Sequence, residues 1–248
     1  MLEAMQAEAA RCYPNEACGV VVQGDKRALV INCQNVAENP RIYFRIDPVE
    51  MATIARDYKV ISIWHSHVDQ APTPSPADIA CCEATALPWI IISVRKHRDT
   101  NEVTFDGPIV HEPSGFEMPY IGRPYVYGVL DCYSLCVDFY KREFKLDIDD
   151  HSDKRQPRFW QYGTDHFGQS FEETGFVQLF KREEPQRGDL FLMQIGARVP
   201  NHIAIYNDNN RILHHCHGRL SKEDIYGGFW DKHTTHHLRH QSLCKKNT

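Results

Sequence analysis

The stretch Trp64-His65-Ser66-His67-Val68-Asp69-Gln70-Ala71-Pro72-Thr73-Pro74-Ser75-Pro76-Ala77-Asp78 gathers residue types that hold a hydrolytic metal. Two imidazoles at i, i+2 on a strand point to one face, and a carboxylate from a nearby helix start can reach the same point. Three N/O ligands with a fourth position left to water describe a catalytic zinc site, where the bound water ionises near a pKa of about 7. His65, His67 and Asp78 are therefore expected to hold one Zn2+. The plainer reading of Ser75-x-x-Asp78 is a helix capping arrangement. A second chemistry is available at Cys132, which follows Asp131 at the start of an amphipathic run through Leu135, Cys136, Phe139, Tyr140 and Phe144. A thiol at a helix N-terminus is favoured as thiolate by unpaired N–H groups and the dipole, and an imidazole neighbour favours it further. The downstream strand Asn201-His202-Ile203-Ala204-Ile205-Tyr206 carries such an imidazole.

The elements that must position these groups are legible around them. Val60 to Trp64 is a β-branched strand ending at the histidines; Ser75 and Pro76 suit N-cap and N1 of a helix reaching Ala86. Upstream, residues 1–12 are helical in composition, and strands are expected up to Val22, over Arg27–Asn32 and over Ile42–Ile46. Asp47-Pro48 opens a helix to about Tyr58, Trp89–Arg95 reads as a buried strand and Asn101–Phe105 as an edge strand. Such alternation predicts an α/β sandwich with helices covering a mixed sheet. From Val110 to Arg123 the periodicity dissolves, so residues 1–110 and 122–248 are read as two domains joined by a linker, 111–121. In the second, a helix follows Cys132, Phe171–Phe180 is expected to be helical, and strands cover Leu190–Met193, His202–Tyr206 and Arg211–His214. A four-residue loop at 207–210 sets His202 opposite His215; a bulge or a five-residue loop turns His214 to its face instead. Because strand neighbours alternate faces, His214, His215, Cys216 and His217 cannot all converge. That group, and His233, His236, His237 and His240 near a tail (residues 245–248) expected to fray, receive no assignment as clusters.

Composition narrows the classes. A net charge of −5 gives no general affinity for nucleic acid or anionic membrane. The start, Met1 to Glu8, has acids and no apolar core, so no ordinary signal peptide is expected, and the apolar run Leu87–Val94 is too short to span a bilayer. Nine cysteines, an odd count that includes the pair Cys81-Cys82, suit buried thiols in a reducing compartment. Without a C-x-x-C pair, a four-thiolate zinc module is not supported.

The spacing His65-x-His67-x7-Ser75-x-x-Asp78, preceded by Glu16-Ala17-Cys18-Gly19-Val20, resembles the JAMM (MPN+, Mov34-like) metalloproteases. That resemblance implies Glu16 as general base, Ser75 as hydrogen-bond donor to the oxyanion, and hydrolysis of an amide or isopeptide bond. Pro124-Tyr125-Val126-Tyr127-Gly128, Asp131-Cys132, Arg187-Gly188-Asp189-Leu190, His202-x-x-Ile205-Tyr206 and His214 resemble the NlpC/P60 peptidases in order, over about residues 120–220. Tyr133-Ser134 stands where that family usually carries Ser-Gly. Here the resemblance implies a papain-like fold with Cys132 as nucleophile, His202 as base and His214 orienting it. The two halves together resemble the tail tip assembly proteins of lambda-like phages. From this follow peptidoglycan stem peptides and phage tail tip proteins as expected partners, neither nucleic acid nor a membrane span, synthesis in the host cytoplasm, and action at the cell wall from the virion tail tip. Two other readings stand beside it: an assembly scaffold with vestigial sites, and a bacterial protease acting on a ubiquitin-like or sulfur-carrier protein.

Overall fold

The computed structural model describes residues 1–149, 158–180 and 183–244; the tail expected to fray lies outside them. The chain divides into two units, Met1–Glu117 and Met118–Thr248.

The first unit is laid out along β3 (Val60–Val68), the central strand of a five-stranded sheet. Antiparallel β1 (Cys18–Val22) flanks it on one side, followed by β2 (Leu29–Cys33); parallel β4 (Trp89–Lys96) flanks it on the other, followed by antiparallel β5 (Val103–His111). The parallel pair requires a crossover, which α3 (Pro76–Thr85) provides. Both faces are covered. Met5 and Ala9 of α1 (Leu2–Cys12) pack with Trp64, Val68, Ile92 and Val94 on one face. Ile54 of α2 (Pro48–Asp57) and Cys82 of α3 pack with Cys18, Val20, Ile63 and Trp89 on the other. This is the expected mixed-sheet sandwich, and double coverage explains why β1 is buried at every position. Two expectations are corrected. Ile42–Ile46 forms no strand, only the bridge Asn35↔Ile46. The edge strand runs on to His111, into the segment read as patternless, because its outer residues are largely exposed and show no apolar alternation.

The second unit holds a six-stranded antiparallel sheet in the order β10 (Lys222–Ile225), β9 (Arg211–His214), β8 (His202–Tyr206), β7 (Leu190–Met193), β11 (Thr234–His240), β6 (Phe176–Gln178). On one face, α4 (Cys132–Phe139) and the π-helical turn Tyr140–Phe144 pack Leu135, Cys136, Phe139 and Tyr140 against Leu190, Leu192, Ile203, Ile205 and Leu213. The other face carries Phe191, Met193, Ala204 and Ile212, with Tyr226 and with Trp230 of α6 (Phe229–His233). Where a helix was expected over Phe171–Phe180, α5 (His166–Ser170) has already ended and β6 follows. The histidines placed near the fraying tail sit instead in or beside β11, between β7 and β6. Among the described residues no helix is long and apolar enough to cross a membrane.

The β8–β9 connection settles the parity question. Tyr206 pairs with Ile212, leaving a five-residue loop in which Asp208, Asn209 and Asn210 all have positive φ (55°, 48° and 57°). Asn and Asp tolerate this left-handed conformation better than most side chains. Ala204 then pairs with His214, so His202 and His214 share a face.

Candidate metal centre and thiol site

In the first unit, strand alternation and a helix cap bring the sequence-selected ligands together. His65 and His67 leave β3 on the face that also carries Trp89, and the ring of Phe44 stacks on His65 with centroids 4.6 Å apart. Asp78, at the third position of α3, completes a capping box: Ser75 Oγ accepts from Asp78 N (3.2 Å) and Asp78 Oδ2 accepts from Ser75 N (2.7 Å). The same carboxylate faces the imidazoles, with Oδ1 3.3 Å from His65 Nε2 and Oδ2 3.2 Å from His67 Nε2. Capping and ligation are thus served by one residue. The two Nε2 atoms are 3.1 Å apart, and ligands on a tetrahedral zinc stand about 3.3 Å from one another when its N and O bonds are about 2.0–2.2 Å. His67 Nδ1 donates to the Ala71 carbonyl at 2.8 Å, which leaves Nε2 as a bare acceptor turned toward a carboxylate. Acceptors crowded on one point suit a cation.

Glu16 reaches this point through strand pairing. Cys18 pairs with His65, and two residues further along the same register Glu16 meets His67. Ser66 ties the two chains where they part: its Oγ accepts from Ala17 N and its N donates to Ala17 O, each at 2.9 Å. Asn35 Nδ2 donates to the Glu16 carbonyl at 3.0 Å. Gly19 follows in the motif because it lies opposite Trp64, where a Cβ would come within 2.6 Å of the indole Nε1.

Burial pushes the Glu16 carboxyl up to about 8, and the Asp78 charge adds to this while His67 opposes it. Burial alone would also raise Asp78, but hydrogen bonds from His65 and His67 outweigh it and hold that carboxylate well below the usual range. Burial lowers His65. For His67 the Asp78 and Ala71 bonds overcome burial, and its value rises. One carboxyl with raised proton affinity thus stands beside one whose affinity is lowered.

In the second unit, Cys132 begins α4 and borders a pocket walled by Tyr125, Tyr127, Tyr133, Phe159 and Phe167. The helix N-terminus is not left open to the thiol alone. Asp131 accepts from Tyr133 N (3.0 Å) and Ser134 N (2.9 Å), and Ser134 Oγ accepts from Asp131 N (2.7 Å). Cys132 belongs to the same buried cluster as Ile203 and Ile205. His202 and His214 stand on the alternate positions and turn to the opposite face of the sheet, against Trp230. There His202 Nε2 lies 3.2 Å from His214 Nδ1, and Cys216 Sγ joins them. The structure therefore brings His202 and His214 to each other and to Cys216, and Cys132 borders its pocket together with Asn201. Sequence reasoning gave Ser66 no role and weighed Cys216 only within a cluster it left unassigned. The available signals were a hydroxyl between two ligands and a thiol two residues beyond His214.

Comparison with known proteins agrees with this division. Residues 1–106 match the family described as prokaryotic homologs of the JAB domain, and residues 122–239 match the NlpC/P60 family. The tail tip assembly protein K of Escherichia phage N15 is 32% identical over 99% of this chain and 98% of its own length. Its counterpart in phage lambda is 29% identical over 74% of this chain and 83% of its own. The CysO-cysteine peptidase of Mycobacterium tuberculosis is 28% identical over 46% of this chain and 84% of its own. End to end, in both halves and in their order, the chain belongs to the tail tip assembly protein K family of phages, with an N-terminal JAB-type domain and a C-terminal NlpC/P60 domain.

Proposed function

We propose that this chain is a tail-tip peptidase with two centres. The N-terminal one hydrolyses an amide or isopeptide bond at a zinc held by His65, His67 and Asp78. The C-terminal one uses the Cys132 thiol on peptidoglycan stem peptides. What carries the first half is the meeting of two imidazoles and a carboxylate at 3.1–3.3 Å, with Glu16 beside them. The second half rests on the NlpC/P60 match and on a cysteine at a helix start bordering an aromatic pocket. The resemblance also assigns His202 as base and His214 as the residue that orients it, and the 3.2 Å contact of His202 Nε2 with His214 Nδ1 supports that pair.

Zinc, when bound, supplies an acidified water and polarises the scissile carbonyl. Glu16 takes the proton of that water and delivers it to the leaving amine, the role its raised affinity for a proton suits. Ser75 keeps its hydroxyl proton for the developing oxyanion, because its oxygen accepts rather than donates in the capping box. Similarity to a CysO-cysteine peptidase supports an amide substrate for this unit. Virion tail proteins are the substrates nearest to hand, and the cell wall is where a tail tip would use the second unit.

The test is digestion of purified muropeptides and of co-assembled tail tip proteins by wild type, His65→Ala and Cys132→Ala, with products identified by mass. Stem-peptide cleavage should vanish in Cys132→Ala and persist in His65→Ala; cleavage of a tail protein should show the reverse. Muropeptides left whole by wild type, or cut equally by Cys132→Ala, refute the thiol half. Tail-protein processing that survives His65→Ala refutes the zinc half.

A further inference from the structure

We propose that Asp224 is a positioning residue of the second unit: acting through His214, it fixes which nitrogen of His202 is free to take up a proton. The inference rests on the reading of Cys132 as nucleophile with His202 as its base, and it adds a residue from a third strand. Ala204 of β8 pairs with His214 of β9, and His214 pairs in turn with Lys222 of β10. Residues two apart on a strand share a face, so His202 and Asp224 are the diagonal neighbours of His214 on its two sides, within reach of long side chains. The contacts run in one line. His202 Nε2 lies 3.2 Å from His214 Nδ1, and His214 Nε2 lies 3.1 Å from Asp224 Oδ2. Lys222 Nζ closes the line, 3.0 Å from Asp224 Oδ1 and 2.8 Å from Oδ2.

A line of this kind has a direction, and its far end sets it. Burial would raise the Asp224 carboxyl, but hydrogen bonds from Lys222 and His214 outweigh it and hold the group below its ordinary value. An ionised carboxylate accepts and cannot donate, so the proton in the Asp224 contact sits on His214 Nε2. Burial lowers His214 more than its bond to Asp224 raises it, with Lys222 and His215 adding to the fall. The ring is therefore neutral near pH 7, and its Nδ1 is a bare lone pair. His202 Nε2 must then donate to it. Burial pushes His202 down to about 3, so this ring too carries a single proton, and Nδ1 is left as its free acceptor. Cys216 does not reverse the order. Its Sγ lies 3.5 Å from His214 Nδ1, burial raises the thiol, and a protonated thiol brings that nitrogen only another weak donor. Without Asp224 the His202–His214 bond is free to run the other way, which puts the proton on His202 Nδ1 and leaves no base there.

Nitrogen NMR of the full-length chain, labelled in its histidine rings, reads the proton positions directly, with His202 and His214 identified by their loss in His202→Gln and His214→Gln. Wild type should show both rings protonated at Nε2 and bare at Nδ1. In Asp224→Asn, Lys222 keeps the amide oxygen and the NH2 turns to His214, so the protons of both rings should move to Nδ1. In Asp224→Ala, water enters and donates or accepts alike, and the tautomers should mix. Muropeptide cleavage by Asp224→Asn should lose about 10–100-fold in kcat with KM little changed, less than the roughly 10⁴-fold that follows the same exchange at an aspartate bonded to the base itself. The Asp224 side chain is 26% exposed on an edge strand, so both variants should fold, as circular dichroism checks; if one does not, the other carries the test. A wild-type His214 protonated at Nδ1, or rings that keep their tautomers in both variants, overturns the proposal, and so does a moved tautomer that leaves kcat unchanged. Muropeptides left whole by wild type refute the thiol half of the proposed function, and the tautomers then decide the role of Asp224 by themselves.

Discussion

Replacing Ser66 by alanine should separate the holding of the metal from the placing of the base. Ser66 Oγ accepts the Ala17 N–H at 2.9 Å, beside the return bond from Ser66 N to Ala17 O. The substitution removes the first bond and spares the second. Ser66 is 0% and Ala17 1% exposed, so water cannot take the place of the hydroxyl. A buried N–H left without an acceptor costs about 1–3 kcal/mol. For a domain of this size each kcal/mol lowers the melting temperature by roughly 4–8 °C, a shift that calorimetry of the metal-free chain resolves easily. Zinc uptake at the N-terminal centre should be unchanged, because no hydrogen bond of His65, His67 or Asp78 runs to Ser66. Catalysis should fall by less than in Glu16→Gln, since general acid–base help contributes about 10²–10⁴-fold and loosening its donor forfeits only part of that. An unchanged melting temperature, or loss of zinc along with the hydroxyl, would show that Ser66 does not work through the Glu16 segment.

Further outcomes follow from other contacts. Gly19→Ala places a methyl group against the Ile31 carbonyl and the Trp64 indole, and the overpacking should cost about 1–3 kcal/mol in thermal or denaturant unfolding. Asp78→Ala should abolish stoichiometric zinc at the N-terminal centre, a heavier loss than the roughly 10–100-fold that follows removal of a supporting partner, as read by equilibrium dialysis. Asp189→Asn leaves Arg239 buried without its counter-charge, their atoms being 2.7 Å apart, and should destabilise the second unit by about 3–5 kcal/mol. Burial would raise the Asp189 carboxyl, but Arg239 and His237 overcome this and hold it below its ordinary value. Its stabilising contribution is therefore complete above the ordinary aspartate range and fades as pH falls through the depressed value. Unfolding measured against pH should show this acid-side loss in wild type and not in Asp189→Asn.

Much of the first site was readable because its information is local. Residues two apart on a strand share a face whatever the strand pairs with, and Ser75-Pro76-x-Asp78 defines a helix start by itself, so the positions of His65, His67 and Asp78 followed from neighbours in sequence. The Glu16 phrase needed a resemblance to single it out, since its nearness to His67 is a matter of register between β1 and β3. Elements were missed where polarity hid them. β11, rich in Thr and His, shows no apolar alternation, and its buried charge, Arg239, is balanced by Asp189 just ahead of β7, a pairing invisible along the chain.

By itself the sequence determined two catalytic vocabularies, a His/His/Asp set and a helix-borne cysteine, and the order of the halves that contain them. Only tertiary structure decided which side chains meet in the second half. Alternation correctly excluded a cluster of all four residues from His214 to His217, yet the same rule puts 214 and 216 on one face. A five-residue loop then carries them to His202. Loop length and strand register are set by the packing of the whole sheet, and a shift of one residue would have exchanged the faces.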